Sequence, residues 1–503
     1  MSNTWTDEQG AIFDAYLSGT SHITEDAKAG TGKTTTNVEG VKRLATARPG
    51  TSTLAIAFNV KTKTELEKRL AGSATALTLN GLGHRAWGRA LAKNLTLEKN
   101  KVGDLTSQVV KDFDRNDAWG SVRELVSKAK TVGLVPSKAP RATGQMLEDT
   151  GEAWWNIADH FDIDCDDEII DMARIVLAQN ITTGFQGVID FDDQIYLPIM
   201  YGSGFEKYDL VLGDEYQDLN PMNHIMIEKS CKLTGRIFAV GDENQAIYGF
   251  RGADMDSIRK FTEKKNAQTL GLSVCWRCAS SIIEHAQEIV PGIKAAPSAQ
   301  VGRVHNLDTW NEALFQTGDA ILCRNNAPII GLAFRLIRHG RGVHVVGRDL
   351  GSNLKNLIKK LLRGDLSKPI EHLLRELASW EHREVLNARG KQDQDKERKI
   401  TDKAESLRAV IEFGGCSTVS QINLRIDLLF SKESAPITLS TIHKSKGLEW
   451  KRVFALDSHL LGPDWLTQPW MIQADRNLDY VQRTRAMEEL IYIHSDGWSK
   501  KND

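Results

Sequence analysis

The chain has 503 residues, 41% hydrophobic and 26% charged, with a formal net charge of -2. Apolar material on this scale supplies large cores, and the length suits about three or four domains or subdomains. The near-neutral balance excludes recognition of nucleic acid by bulk charge, although a local basic groove remains open. No apolar run approaches the roughly 18 residues of a membrane span, and the opening MSNTWTDEQG lacks the basic and apolar regions of a secretory signal. The expectation is a cytoplasmic protein with no membrane partner. Six scattered cysteines fit a reducing compartment. Cys275 and Cys278 make a C-x-x-C pair, but with no second pair or histidine partner nearby they read as incidental thiols rather than zinc ligands.

In chain order, residues 1–87 read as strand, glycine-rich turn, helix, the strand Leu54–Phe58 and the charged helical stretch Thr62–Leu70, which is α/β order. Residues 88–185 change to helical periodicity with Trp119, Trp154 and Trp155, as a helical insertion would. Strand–turn–helix order returns over 186–270, with Leu210–Leu212 and Ile237–Val240 as strands that each run into acidic residues. A second α/β block covers 271–349 and 436–503, with strands at Ala320–Cys323, Val343–Val346, Ile437–Leu439 and Val453–Leu456. It is interrupted by a second insertion over 350–435, whose segment Lys391–Lys403 is dense in both charge signs and reads as a solvated helix or loop.

Ala27-Lys28-Ala29-Gly30-Thr31-Gly32-Lys33-Thr34 is a phosphate-binding loop of the G-x-x-x-x-G-K-[ST] type, with Ala27 in the first glycine position. Gly30 and Gly32 let the backbone approach phosphate. The N–H groups around Ala29, Thr31 and Thr35 and the following helix N-terminus attract the anion. Lys33 adds a point charge, and Thr34 can ligate Mg2+. Asp214-Glu215-Tyr216-Gln217-Asp218 follows an apolar strand, where strand-end carboxylates lie beside the ligand crevice. Asp214 is the candidate for the magnesium shell and Glu215 for the general base that polarises water. The two segments together point to an ATP hydrolase.

The D-E-Y-Q-D form resembles the UvrD/Rep family of superfamily 1 helicases, and further segments resemble that family's motifs in order. Thr6-Asp7-Glu8-Gln9 is similar to the Q motif, which implies that Gln9 reads adenine. Ala57-Phe58-Asn59 looks like motif Ia. Thr78-Leu79-Asn80-Gly81-Leu82-Gly83-His84 resembles T-F-H-G-L-x-H, with Asn80 replacing the usual histidine. The run Val240–Ala253 is close to motif III over its whole length. By resemblance Gln245 sits between nucleotide and DNA, Tyr248 and Phe250 face the strand, and Arg251 links that side to the acidic motif. Aromatic stacking grips any base, as a motor requires.

In the second block, Leu272–Arg277 resembles motif IV, which makes Trp276 the base-stacking residue and Arg277 a γ-phosphate contact. Thr438–Trp450 matches motif V, implying DNA or relay roles for Thr441, His443 and Lys446 and a ribose contact for Glu449. Asn477–Ala486 resembles motif VI, N-L-x-Y-V-x-x-T-R-A, with Arg485 as a second arginine finger. The resemblance implies two RecA-like P-loop domains with parallel sheets, each carrying a mainly helical insertion. It also implies ATP and Mg2+ as cofactors, with single-stranded DNA and its junctions with duplex as substrate. The expected activity is 3′ to 5′ stepping and unwinding driven by hydrolysis in the interdomain cleft.

A translocase that strips proteins or serves a nuclease or defence complex, without unwinding by itself, is the alternative. The A-F-N and D-F-D-D (Asp190–Asp193) segments lean toward the branch of F-box DNA helicases and compact phage or bacterial relatives, hence a bacterial or phage-infected cytoplasm. Asp190–Asp193 reads as structure rather than a metal site. The insertions carry no motif and are where protein partners are expected. Thr35 stands where many members have arginine, and Glu25 and Asp26 place two carboxylates in a strand that ought to be buried.

Overall fold

The computed structural model describes residues 5–144, 147–390, 394–430, 436–462, 466 and 468–497. The chain divides into two compact units, Met1–Ser273 and Val274–Asp503.

The first unit is built on a six-stranded sheet. Its strands are β1 (Ile23–Ala27), β2 (Thr53–Ala57), β3 (Thr75–Thr78), β6 (Tyr208–Gly213), β7 (Cys231–Gly241) and β8 (Gln268–Leu272), while β4 (Thr96–Leu97) and β5 (Val188–Ile189) form a separate short pair. The order is β3-β2-β6-β7-β1-β8, with every pairing parallel. Parallel sheets are covered on both faces, so their strands read as near-continuous apolar runs; all five residues of β2 are buried. Because β6, β7 and β1 are neighbours, the loops that leave them carry the acidic pair, the Gly241–Gln245 turn and the phosphate loop to one edge of the sheet. Four helices, Lys101–Asp112, Trp119–Val132, Gly151–His160 and Asp167–Phe185, lie in the chain between β4 and β5. They pack around Val122, Leu125, Trp154, Ala173 and Val176, all fully buried.

The second unit repeats the design. It contains β9 (Val274–Cys275) paired with β10 (Lys294–Ala295), and a parallel sheet of β11 (Arg303–Leu307), β12 (Ala320–Cys323), β13 (Val343–Val345), β14 (Ile437–Thr441), β15 (Trp450–Leu456) and β16 (Ala486–Ile493) in the order β11-β16-β15-β12-β14-β13. Helices Arg348–Leu361, Ile370–Gly390, Gln394–Gly414 and Val419–Leu429 fall between β13 and β14. Of the charged segment 391–403, residues 394–403 are helical and 391–393 lie outside the described residues. No helix among the described residues is long and apolar enough to cross a membrane.

The D-F-D-D segment has a structural explanation. Asp193 is fully buried and accepts from Lys101 Nζ at 2.7 Å and from Asn180 at 2.7 Å, while Lys130 Nζ lies 2.8 Å from both Asp190 and Asp193. Two lysines from two helices thus neutralise two aspartates away from water. Burial opposes ionisation of Asp193, but Lys130 and Lys101 overcome it and bring its pKa down to about 2.

Candidate nucleotide and nucleic-acid site

The phosphate loop leaves β1 with Gly30 at φ 70° and Gly32 at φ 82°, left-handed conformations that disfavour a side chain. A Cβ on Gly32 would meet nothing within 4 Å, so the requirement there is conformational rather than spatial. Gly32 caps the helix Lys33–Ala47 without a side-chain hydrogen bond, which leaves the first-turn N–H groups to an anion. Ala29 and Thr31 are buried, Thr31 Oγ1 donates to Lys28 O at 2.8 Å, and Thr34 is half-buried on the first turn. Thr35 is exposed and accepts from Arg69 Nη2 at 2.9 Å, so an arginine from the helix Val60–Leu70 reaches the position where many relatives carry their own.

Lys33 Nζ lies 3.1 Å from Glu215 Oε1. Burial would favour the neutral amine, but Glu215, Asp214 and Asp242 outweigh it and hold the ammonium above its ordinary pKa. Glu215 has φ 50°, a left-handed non-glycine position of the kind that concentrates at functional sites. Its N–H donates to Asp214 Oδ1 at 3.0 Å. Gln217 then links two loops: Nε2 donates to Glu215 Oε2 at 2.5 Å, and Oε1 accepts from the Asp242 N–H at 3.1 Å. Gln245 Nε2 donates to Asp242 Oδ2 at 2.7 Å. A polar path therefore runs from Lys33 through Glu215, Gln217 and Asp242 to Gln245. Three carboxylates acting on one lysine leave negative charge that suits a divalent cation, and Thr34 with Asp214 supplies hard oxygen donors for Mg2+.

Two residues in this path, Gln217 and Asp242, were not singled out from sequence. Both lie inside the quoted motifs, and their signal is position: each is a polar residue just beyond a buried strand.

Glu25 and Asp26 also find their explanation. Asp26 is half-buried and paired with Lys28 at 2.8 Å. Glu25 is fully buried; Oε1 accepts from Asn37 Nδ2 at 3.1 Å, and Oε2 has no hydrogen-bond partner. Burial pushes its carboxyl up to about 8, so the strand carries a neutral acid at pH 7. Asn37 also donates to Lys33 O at 2.9 Å and accepts from Tyr16 Oη at 2.6 Å. Gln9 is buried, closes a capping box with Thr6 and donates Nε2 to Thr36 Oγ1 at 2.9 Å, tying the first helix to the phosphate-loop helix.

Three of the candidate strand-binding residues come together. Phe58 and Tyr248 are stacked with centroids 6.0 Å apart and planes at 14°, and Phe250 lies 6.1 Å from Tyr248 at 60°. Phe58 is 42% and Phe250 46% exposed, unusual for phenylalanine and suited to a partner that covers flat rings. Lys128 Nζ donates to Phe250 O, which brings a cation beside the row. The other candidates are occupied locally. Asn59 caps the helix Val60–Leu70 through Thr62 N, Thr78 caps Leu79–Leu91 through Gly81 N, and Asn80 Nδ2 donates to Phe191 O at 2.8 Å and Gln194 Oε1 at 3.0 Å. Arg251 closes the turn Gly249–Arg251; its side chain lies outside the described residues.

In the second unit Trp276 is 49% exposed. Arg277 Nε lies 2.5 Å from Glu449 Oε2, and its Nη1 donates to Thr484 O at 3.3 Å. Arg485 is 1% exposed and donates to Val481 O, Leu448 O and Thr484 Oγ1 at 3.0, 3.1 and 3.2 Å. Within its own unit this guanidinium is a buried brace. Thr441 is buried at the end of β14, Lys446 is half-buried, and burial together with Arg324 lowers the pKa of His443 to about 3, which keeps it neutral. Cys275 and Cys278 are buried free thiols, with Cys278 Sγ directed at Thr484 O, 3.7 Å away.

Two parallel-sheet units, one with a phosphate loop and strand-end carboxylates on adjacent loops, define a P-loop nucleotide-binding protein of the RecA-like α/β class. More narrowly, the chain belongs to the UvrD/REP helicase family: that family's N-terminal domain matches residues 5–266 and the UvrD-like helicase C-terminal domain matches 368–497. The F-box DNA helicase protein 1 of Schizosaccharomyces pombe is 24% identical over 97% of this chain and 57% of its own length. DNA helicase II of Haemophilus influenzae is 30% identical over 27% of this chain and 18% of its own length. For DNA helicase II of Escherichia coli the identity is 24%, over 55% and 39%. The chain thus spans 57% or less of each of these relatives.

Proposed function

We propose that the protein is an ATP-dependent DNA helicase that moves along single-stranded DNA from 3′ to 5′. The observation that carries this reading is the polar path from Lys33 through Glu215, Gln217 and Asp242 to Gln245, because Gln245 stands three residues before Tyr248 and the exposed aromatic row. A change at the phosphate is felt along this path at the surface that stacks bases.

In the proposed cycle the amides of Ala29–Thr35 and Lys33 hold the phosphates, Gln9 and Trp276 hold the base, and Glu449 meets the ribose. Mg2+ at Thr34 and Asp214 would neutralise phosphate charge. Glu215 takes the proton of the attacking water, and Arg277 and Arg485 stabilise the transferred phosphoryl. Arg277 must first part from Glu449, and Arg485 must exchange carbonyl acceptors for phosphate oxygens, so turnover is gated by rearrangement of the second unit. Phe58, Asn59, Thr78, Asn80, Tyr248, Phe250 and Arg251 grip DNA on one motor domain, and Thr441, His443 and Lys446 on the other. Motor domains of 1–87 with 186–270 and of 271–349 with 436–503 fit this scheme, with 88–185 and 350–435 as insertions for junction and protein contacts. A cytoplasmic setting is supported by six free cysteines.

The deciding experiment is ATP-driven unwinding of paired 3′-tailed and 5′-tailed duplexes, with Lys33→Ala and Glu215→Gln as controls. Unwinding confined to the 3′-tailed substrate is expected. ATP turnover indifferent to single-stranded DNA would sink the reading, and translocation without strand separation would leave the protein-stripping alternative.

A further inference from the structure

The C-terminal ends of β15 and β16 carry a cluster that the nucleotide chemistry does not use. These strands are adjacent and parallel, with Leu456 opposite Ile493. The next residues, Asp457 and His494, therefore emerge side by side at the edge where parallel sheets bind ligands. His459 joins them from the turn Ser458–Leu460. One donor atom from each of Asp457, His459 and His494 lies within 4.8 Å of the others. His494 Nδ1 is 4.0 Å from Asp457 Oδ1, and the two imidazoles are nearly parallel at 28° with centroids 5.6 Å apart.

The cluster is built on fixed backbone. Asp457 has φ 53°, a left-handed conformation that turns its carboxylate away from the strand direction. Its N–H is held by Ile493 O at 2.9 Å, and its own carbonyl accepts from Leu460 N–H at 2.9 Å. The carboxylate is oriented by Ser495, whose N–H donates to Oδ1 at 2.8 Å and whose hydroxyl donates to Oδ2. Each oxygen retains a further lone pair. The carbonyl of His494 accepts from Trp310 Nε1 at 2.8 Å and Gly497 N at 3.0 Å, fixing the base of that side chain. Asp457 is buried, whereas both imidazoles reach solvent and can rotate. Donors around an ion at about 2.1 Å are separated by at most about 4.2 Å, so sub-ångström turns of the two rings close the set.

We propose that Asp457, His459 and His494 bind one borderline divalent transition-metal ion, with Zn2+, Co2+ and Ni2+ as the fitting class and water completing the shell. Two imidazoles and one carboxylate select these ions over Mg2+ or Ca2+, which demand oxygen donors. Hydrogen bonds to the carboxylate supply the outer support that metal sites depend on. A bound ion pins the turn after β15 to the end of β16.

The test is calorimetric titration of chelator-treated full-length protein with Zn2+ in excess Mg2+, together with the visible spectrum of the Co2+ form. One equivalent of Zn2+ is expected, weakened by at least about tenfold in each of His459→Ala and His494→Ala and kept in Cys278→Ser. The Co2+ spectrum should lack thiolate charge transfer. The exposed histidines can be replaced without opening the core, and circular dichroism checks this. The proposal is overturned if the double histidine variant binds Zn2+ as wild type does, if wild type takes none at about 100 µM, or if a thiolate band vanishes in Cys275→Ser, which assigns the ion to the cysteines.

Discussion

Glu215 Oε1 rests 3.1 Å from Lys33 Nζ, so the candidate base and the candidate phosphate cation neutralise each other. An incoming γ-phosphate competes with Glu215 for the lysine and frees the carboxylate for water. Lys33→Ala should lower ATP turnover by about 10²–10³-fold and weaken nucleotide binding. Glu215→Gln should lose comparable turnover yet keep nucleotide affinity, because the amide no longer competes as an anion. Steady-state hydrolysis paired with fluorescent-nucleotide titration separates the two; equal loss of affinity in both variants would count against this competition.

Gly241 offers a probe of the path without touching its polar atoms. A Cβ there would lie 2.3 Å from Gln217 Oε1 and 2.8 Å from Ile258 Cδ1, so Gly241→Ala forces the amide aside. Turnover should drop by about tenfold or more, and adding Gly241→Ala to Gln217→Ala should cost little further, since both act on one contact. Additive losses in the hydrolysis assay would contradict a shared contact.

Glu25 makes stability depend on pH in a defined direction. Its folded pKa of about 8 is raised from 4.5, chiefly by burial, with Asn37 and Lys33 opposing and Asp214 reinforcing. A raised carboxyl contributes fully below the unfolded value, and that contribution is lost as pH climbs through 8. Glu25→Gln imitates the neutral acid, so its melting temperature should gain on wild type by roughly 5 °C between the acidic and alkaline ends of that window. Parallel melting curves across the range would refute the assignment.

The aromatic row should report on DNA and not on nucleotide. Phe58→Ala and Phe250→Ala are each expected to weaken single-strand binding by about 1–3 kcal/mol, whatever the base sequence. Fluorescence anisotropy with homopolymeric strands measures this, and unchanged affinity in both variants would remove the row from the DNA path.

Asp193→Ala leaves Lys101 and Lys130 buried with one carboxylate fewer, a loss of about 3–5 kcal/mol. Thermal unfolding checks it: a midpoint within about 2 °C of wild type would show that water or a neighbour replaces the carboxylate.

The features legible in sequence were those encoded within a few residues of one another. Gly30, Gly32 and Lys33 announce their turn because left-handed backbone and phosphate chemistry both demand those residue types. Strands such as Ala320–Cys323 stand out because a doubly covered sheet is apolar throughout. What could not be read was pairing at a distance. Asn37 as the partner of Glu25, Arg69 as the partner of Thr35, and Lys101 with Lys130 as the counterions of Asp193 depend on which helix lies over which strand. Asn59 and Thr78 had a local signal, that of N-cap residues, which the motif reading passed over. Arg485 was read through its motif, and its burial among carbonyl oxygens follows only from the packed unit.

The 6.0 Å spacing of Phe58 and Tyr248 sets a mechanical scale for the proposed motor. An aromatic base is about 3.4 Å thick, so admitting one between the rings needs about 6.8 Å, and the rings must part by less than an ångström. The work of parting is the loss of one ring–ring contact, about 1 kcal/mol, and it is recovered when the base leaves. Purine and pyrimidine share that thickness, so this surface would present the same small barrier at every nucleotide. It would act as a detent that counts bases without reading them.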